Sequence, residues 1–179
     1  VTACDGRGVD VLTPTQRSLC MSRIRGRDTK PEMLIRRGLF ARGFRYRLHD
    51  GTLPGRPDLV FPARRAVIFV HGCFWHAHDC ALFTLPATRR EFWENKLRAN
   101  RERDASAITA LEQGGWRVLV IWECALKGRM KRSFDEVFDE CACWLADSGA
   151  ETAEIQGSGQ ADGSHGGEPT SITDGRKRQ

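Results

Sequence analysis

Pro57-Asp58-Leu59-Val60-Phe61-Pro62-Ala63-Arg64-Arg65-Ala66-Val67-Ile68-Phe69-Val70-His71 is the stretch that decides the fold class. Leu59–Phe61 and Ala66–Val70 are short apolar runs, and the residues between them carry a proline and two arginines. Runs of this length bounded by turn formers predict two central strands joined by a tight turn. Pro54-Gly55-Arg56-Pro57-Asp58 leads directly into the first of them. An aspartate there stands at the mouth of a sheet, where the backbone can hold it rigidly. Hard Mg²⁺ takes carboxylate and carbonyl oxygens, and phosphodiester hydrolysis uses such an ion to stabilise developing charge. From the pentapeptide alone, a plain turn aspartate is the better reading.

Outward from this pair the chain alternates helices and strands. Thr13-Pro14-Thr15-Gln16 combines a capping-box pair with proline at the first helical position, and the helix it opens carries Leu19, Met21 and Ile24 before Gly26. Thr29-Lys30-Pro31-Glu32 repeats the logic for a second helix ending near Gly43. Phe44, Tyr46 and Leu48 alternate with Arg45 and Arg47, the period-two pattern of a half-buried strand. Beyond the central pair, Thr88-Arg89-Arg90-Glu91 predicts the capped start of a long helix stopped by Gly114-Gly115. Trp116–Trp122 predicts a buried strand with Cys124 at its end, and Ser133-Phe134-Asp135-Glu136 a final helix. Residues 1–12 read as a flexible N-terminal arm and 148–179, rich in Gly, Ser, Glu and Gln, as a disordered tail. The domain at 13–147 is thus expected to be α/β, a mixed central sheet flanked by helices.

The chain has 179 residues, 28 Lys plus Arg against 23 Asp plus Glu, and a net charge of +5. The excess is concentrated. Arg17, Arg23, Arg25, Arg27, Lys30, Arg36, Arg37, Arg42, Arg45 and Arg47 crowd the first third with only Asp28 and Glu32 among them. Such a stripe is either a solvated helix face or the footprint of a polyanion binder. Arginine dominating lysine favours phosphate, because the guanidinium fork matches phosphate oxygens in pairs. No apolar run is long enough to span a membrane. Seven cysteines, several beside histidines, point to thiolate–metal chemistry in a reducing cytoplasm rather than to a disulfide framework.

His71-Gly72-Cys73-Phe74-Trp75-His76-Ala77-His78-Asp79-Cys80 holds three of the five histidines, two of the seven cysteines and two adjacent aromatics. Imidazole and thiolate are borderline-soft ligands suited to zinc. There are more donors here than one tetrahedral ion uses, which suggests a structural metal and a catalytic histidine in one loop. Cys73, Cys80 and a histidine, joined by distant Cys124, make a closed zinc site. Spacing does not say whether His76 or His78 is the ligand, and Cys124 alone could equally be a small buried apolar residue. Phe74 and Trp75 are either core residues or, in a basic protein, wedges between stacked bases. Asp104, beside Arg101 and Arg103, reads first as a solvated helix charge.

A Pro-Asp ahead of one strand with a second strand shortly after resembles the skeleton of the PD-(D/E)xK nucleases, whose second strand carries an acid and a lysine. Val67-Ile68-Phe69-Val70-His71 carries neither. Either the chain is not an active nuclease or its ligands and base are replaced, and histidine is the replacement with suitable chemistry. Pro-Gly-Arg-Pro-Asp58, Val-Ile-Phe-Val-His71-Gly-Cys-Phe-Trp-His76-x-His-x-Cys80, Pro86-Ala-Thr-Arg, Phe92-Trp93, Arg103-Asp104 and Gly115-Trp-Arg-Val-Leu-Val-Ile-Trp-Glu-Cys124 together are similar to the very-short-patch-repair (Vsr) endonucleases, from about Arg17 to about Arg129.

That resemblance implies a restriction-endonuclease-like fold and a Mg²⁺-dependent nick of double-stranded DNA. The nick falls 5′ to the thymine of a T:G mismatch left by deamination of 5-methylcytosine. It implies Asp58 and the main-chain carbonyl of Val70 as Mg²⁺ ligands, and His76 as general base. His71 and Asp104 match residues that organise the attacking water and the scissile phosphate, with Glu32 an acid near the site. Cys73, His78, Cys80 and Cys124 match the zinc ligands; Phe74, Trp75 and Met21 match the residues inserted into DNA. Val70 stands where the best-known members have threonine, which a main-chain role tolerates. The family further implies a functional link to a DNA cytosine methyltransferase and a repair polymerase, and action as a monomer in the bacterial cytoplasm, at the nucleoid, with no membrane.

Overall fold

Thr13 and Gln16 make the reciprocal capping contacts that the sequence predicts, and residues 15, 16 and 19 are helical. Gln16 N–H donates to Thr13 Oγ1 at 3.2 Å and Thr13 N–H to Gln16 Oε1 at 2.9 Å. The computed structural model describes residues 13, 15, 16, 19, 26–149 and 151–159; Met21, the arm at 1–12 and most of the tail lie outside them. Helix α1 (Lys30–Ala41) starts on a second full capping box between Thr29 and Glu32, with Pro31 in its first turn. Both boxes satisfy backbone donors that a helix start otherwise leaves open.

The sheet has five strands in the order β1 (Arg47–Leu48), β2 (Leu59–Phe61), β3 (Ala66–His71), β4 (Arg117–Trp122) and β5 (Ala153–Ile155). The first two pairings are antiparallel and the last two parallel, so the sheet is mixed. A 3₁₀ turn at Pro62–Arg64, closed by Arg65 at φ +45°, joins β2 to β3. Side chains alternate between two cores. Leu59, Phe61, Ala66, Ile68, Leu119 and Ile121 pack with Ile35 and Leu39 of α1 and with Val137, Phe138 and Leu145 of α4 (Phe134–Ala146). Val60, Val67, Phe69, Val118 and Val120 pack on the other face with Leu111 of α2 (Arg90–Gln113). Helices cover both faces, which is why β2 and β3 are apolar throughout instead of alternating.

The β3–α2–β4 crossover places the site. Because β3 and β4 run parallel with His71 opposite Trp122, the loop after β3 and the residues after β4 leave the sheet at the same edge. Cys124, on the short helix α3 (Glu123–Leu126), therefore meets the His71–Cys80 loop.

Four local expectations differ. Phe44 and Tyr46 do turn inward onto Phe61, but the ladder is confined to Arg47–Leu48, and Leu48 is exposed at this sheet edge. Thr88 does not cap α2: Arg89 takes that position in the left-handed region, without a side-chain cap. Cys124 sits on a helical turn rather than at a strand end. Within the expected tail, residues 153–155 form β5, whose Ile155 is buried in the first core. A three-residue strand draws its order from the neighbour it pairs with, so its own composition does not announce it.

Gly55 shows how tightly the approach to Asp58 is packed. Its φ is +71°, and a Cβ there would stand 2.8 Å from Ala107 Cβ on α2 and 3.2 Å from the Phe69 ring. Gly55→Ala should lower stability by about 2 kcal/mol through combined backbone strain and overpacking. Urea unfolding measures it; an unchanged midpoint would mean that this turn yields freely.

Candidate active site and metal cluster

Asp58 follows Pro57 at the start of β2, with its carboxylate turned towards β3. Its Oδ2 accepts the Val70 N–H at 2.7 Å. Burial pushes the carboxyl up to about 6, against the lowering effect of that hydrogen bond. A half-buried carboxylate offers hard oxygen of the kind a small divalent cation takes.

The His71–Cys80 loop separates its donors into two groups. His71 and His76 stack with ring centroids 3.8 Å apart and planes 3° from parallel. His76 Nδ1 lies 2.5 Å from Asp104 Oδ2. A carboxylate can only accept, so Nδ1 carries a proton, and Nε2 is the ring nitrogen turned away from Asp104. Burial raises the Asp104 carboxyl, but the His76 hydrogen bond and charge outweigh it, and the group ends below its usual range. His71 is buried, and burial together with the neighbouring His76 charge drives it down to about 3, so it stays neutral.

The second group is Cys73, His78, Cys80 and Cys124, whose donor atoms all lie within 4.8 Å of one another. His78 Nδ1 is 3.6 Å from Cys124 Sγ, and Gly157 N–H donates to that sulfur at 3.3 Å. The hydrogen bond from Cys73 holds the Cys124 thiol well below the ordinary thiol range, with the Gly157 N–H adding to it. None of these cysteines is in a disulfide. Three sulfurs and one imidazole nitrogen converging so closely form a donor set that could hold one borderline-soft, four-coordinate ion. It is this convergence that separates His78 from His76, which spacing left open.

A cleft of about 560 Å³ opens beside the stacked histidines, lined by Thr29, Val70, Trp75, His76, Lys96 and Asn100 among others. Trp75 of its wall forms a half-buried aromatic cluster with Phe74 and Trp93, with centroids 5.1 to 6.2 Å apart. Neither Phe74 nor Trp75 is a core residue. Met21 lies outside the described residues.

Three polar residues of this region were missed by the sequence reading. Lys96 places its ammonium 5.5 Å from the Trp75 centroid and 5.6 Å from that of Trp93. Asn100 donates its amide to the Trp75 carbonyl at 2.7 Å. Lys96, Asn100 and Asp104 are spaced four apart, so one stripe of α2 faces the loop; that periodicity was the available signal. The third is His49, held at φ +48°. Its Nε2 lies 3.2 Å from Glu32 Oε1 and its Nδ1 3.8 Å from Asp58 Oδ1. Nε2 is buried without an aligned hydrogen-bond partner. Glu32, 1% exposed, takes Arg36 at 3.1 Å as well, and so stands one imidazole away from Asp58. Left-handed backbone at a non-glycine residue is strain of the sort that clusters at functional sites.

The family model described as DNA mismatch endonuclease Vsr matches residues 9–82. The DNA mismatch endonuclease Vsr of Escherichia coli is 45% identical over 150 residues, covering 84% of this chain and 96% of that protein. A type II nicking enzyme of Xanthomonas oryzae pv. oryzae is 46% identical over 132 residues, 70% of this chain and 97% of its own. One of Neisseria meningitidis serogroup A is 43% identical over 120 residues, 67% of this chain and 86% of that enzyme. With that identity across nearly the whole of its relatives, the chain belongs to the Vsr family of DNA mismatch endonucleases.

Proposed function

We propose that this DNA endonuclease nicks one strand 5′ to the thymine of a T:G mismatch and so starts very short patch repair of deaminated 5-methylcytosine. The observation that carries the reading is the His76–Asp104 pair, with His76 and Trp75 lining the same cleft. Asp104 fixes the tautomer and orientation of His76, leaving Nε2 to take the proton of the attacking water. His71, neutral and buried, keeps the His76 ring in its plane by stacking, and turns no second charge towards the phosphate. Asp58 and the Val70 carbonyl would hold Mg²⁺, with Glu32 and His49 steadying Asp58 from behind. Mg²⁺, when bound, supplies electrostatic stabilisation of the charge that grows on the phosphate. Cys73, His78, Cys80 and Cys124 would hold a structural Zn²⁺ that keeps the loop rigid.

Phe74 and Trp75, with Met21 from the first helix, would wedge into the stack at the mismatch. A mispaired step is cheaper to distort than a matched one, so the wedge discriminates by deformation energy. The arginine-rich N-terminal third supplies phosphate contacts. Single-strand cutting accords with relatives that are nicking enzymes. A DNA cytosine methyltransferase would supply the 5-methylcytosine whose deamination leaves the mismatch, and a repair polymerase would follow the nick; the enzyme would act as a monomer at the nucleoid in the bacterial cytoplasm. Among the described residues no helix is long and apolar enough to cross a membrane.

Nicking of T:G against T:A duplexes under Mg²⁺ is the test, with the T:G strand expected to be cut and the T:A duplex spared. Equal cutting of both would make this a restriction-type enzyme. Binding without nicking at any divalent ion would make it a zinc-stabilised DNA-binding module.

His76→Ala should slow nicking by about 10²–10⁴-fold, the usual contribution of a general base. It should leave DNA affinity and bound zinc unchanged in gel-shift and metal analysis. Loss of zinc on this change would transfer His76 to the other cluster.

Asp58 gives a pH dependence of defined sign. Its folded pKa of about 6 lies above the ordinary 3.8, so its contribution to stability is full below the lower value and is lost as pH rises through the higher. In EDTA, Asp58→Asn should therefore raise the melting temperature at pH 8 and have much less effect at pH 4. An equal shift at both would show that the buried carboxylate is not the source.

A further inference from the structure

The chain around β5 makes three separate contacts with the region of the site, and none of them follows from the composition of that segment. Gln156 Oε1 lies 3.1 Å from His78 Nε2. The Gly157 N–H donates to Cys124 Sγ at 3.3 Å. Glu154 Oε2 accepts the Trp122 indole N–H at 2.7 Å. Trp122 in turn stacks on His78, centroids 4.0 Å apart and planes at 13°, and meets His71 edge-on at 5.4 Å.

Each contact has a chemical consequence. An amide oxygen only accepts, so opposite it His78 Nε2 must carry the ring proton. Nδ1, which points at Cys124, is then left with the lone pair a metal needs. The N–H of Gly157 stabilises negative charge on a sulfur that ligates best as thiolate. The turn can come this close only as glycine: a Cβ on Gly157 would stand 2.7 Å from the Met130 carbonyl oxygen and 2.9 Å from that of Cys124. Ser158 N–H fastens the turn further by donating to Met130 O at 2.9 Å. Ile155, 1% exposed, roots the whole segment in the core.

We infer that Glu154–Gly157 is the outer support of the metal cluster, with Gln156 the positioning residue that sets the His78 tautomer, and that through Trp122 it braces the stacked His71–His76 pair. The inference rests on the reading that the four donors hold Zn²⁺. It assigns a role to a segment beyond the last metal-binding cysteine, and it ties the order of β5 to that of the catalytic histidine.

The test uses the complete chain, purified with zinc. Bound zinc is measured in the wild type, in Gln156→Ala and in Gln156→Glu, together with the rate at which a chromogenic chelator captures it and the visible spectrum of each cobalt-substituted form. Gln156→Ala should hold zinc about 10–100-fold less tightly, the usual loss when the hydrogen-bond partner of a ligating histidine is removed. Its cobalt spectrum should shift. Gln156→Glu, which still offers an oxygen to Nε2–H, should stay near the wild type. Wild-type capture rates in Gln156→Ala, or losses equal in both variants, would overturn the role of Gln156. A wild type that binds no zinc would instead remove the underlying metal reading. If Gln156→Ala fails to fold, Gln156→Met, which keeps the length and removes the acceptor, makes the same comparison.

Discussion

Parallel pairing of β3 with β4 is the constraint on which the rest depends. His71 sits opposite Trp122, so the loop that follows β3 and the turn that follows β4 emerge side by side. Without that register, Cys124 would be far from Cys73, and His71 would lack the indole that meets it edge-on. The pairing is held by two cores rather than one. Valines and Phe69 anchor it to α2, while Ile68, Leu119 and Ile121 anchor it to α1 and α4. A strand pair clamped on both faces has little freedom to slide, because a one-residue slip would exchange the two cores. Rigidity at the strand ends is thereby transmitted to side chains that must be placed within fractions of an ångström.

The site built on this edge keeps soft and hard donors apart over a short distance. The sulfurs gather with His78, which stacks on Trp122; Asp104 gathers with His76 and with His71, which meets Trp122 edge-on. The Trp122 indole packs against a histidine of each group, which keeps two donor sets of different chemistry close without mixing them. Neutral His71 serves the same end. Its burial denies it a proton, and a neutral ring can stack closely on His76 without charge repulsion. Asp104 then acts on His76 alone.

The chain of contacts reaching Asp58 from the other side is less complete. Arg36 neutralises buried Glu32, Glu32 faces His49, and His49 faces Asp58 across 3.8 Å. Four ionisable groups in a row are costly to bury unless they compensate one another. Among the described residues, their arrangement leaves Asp58 Oδ2 with one firm hydrogen bond, from Val70, and Oδ1 3.8 Å from His49 Nδ1. A fully satisfied carboxylate would have no capacity left for a cation.

Much of this was legible in the residues themselves. The strand pair around Asp58, both capping boxes, and the surplus of donors between His71 and Cys80 follow from local periodicity and ligand chemistry, which depend on neighbours in sequence. The family motifs carried the ligand and base assignments further than spacing did. What remained hidden was what depends on neighbours in space. His49 is an ordinary polar residue until the fold sets it between Glu32 and Asp58. By spacing alone Asp104 reads as a helix charge, and His76 and His78 stay undivided; the resemblance gave them roles, and the fold sets Asp104 against His76 and His78 against Cys124. The segment at 153–157 lacks the apolar content to order itself and takes its structure from β4 and from the contacts of Gln156 and Gly157 with His78 and Cys124. Sequence alone therefore determined which chemistries were available. The tertiary structure decided which atom performs each, because a ligand or a base is defined by the distance and direction of a lone pair, and these exist only once distant strands have paired.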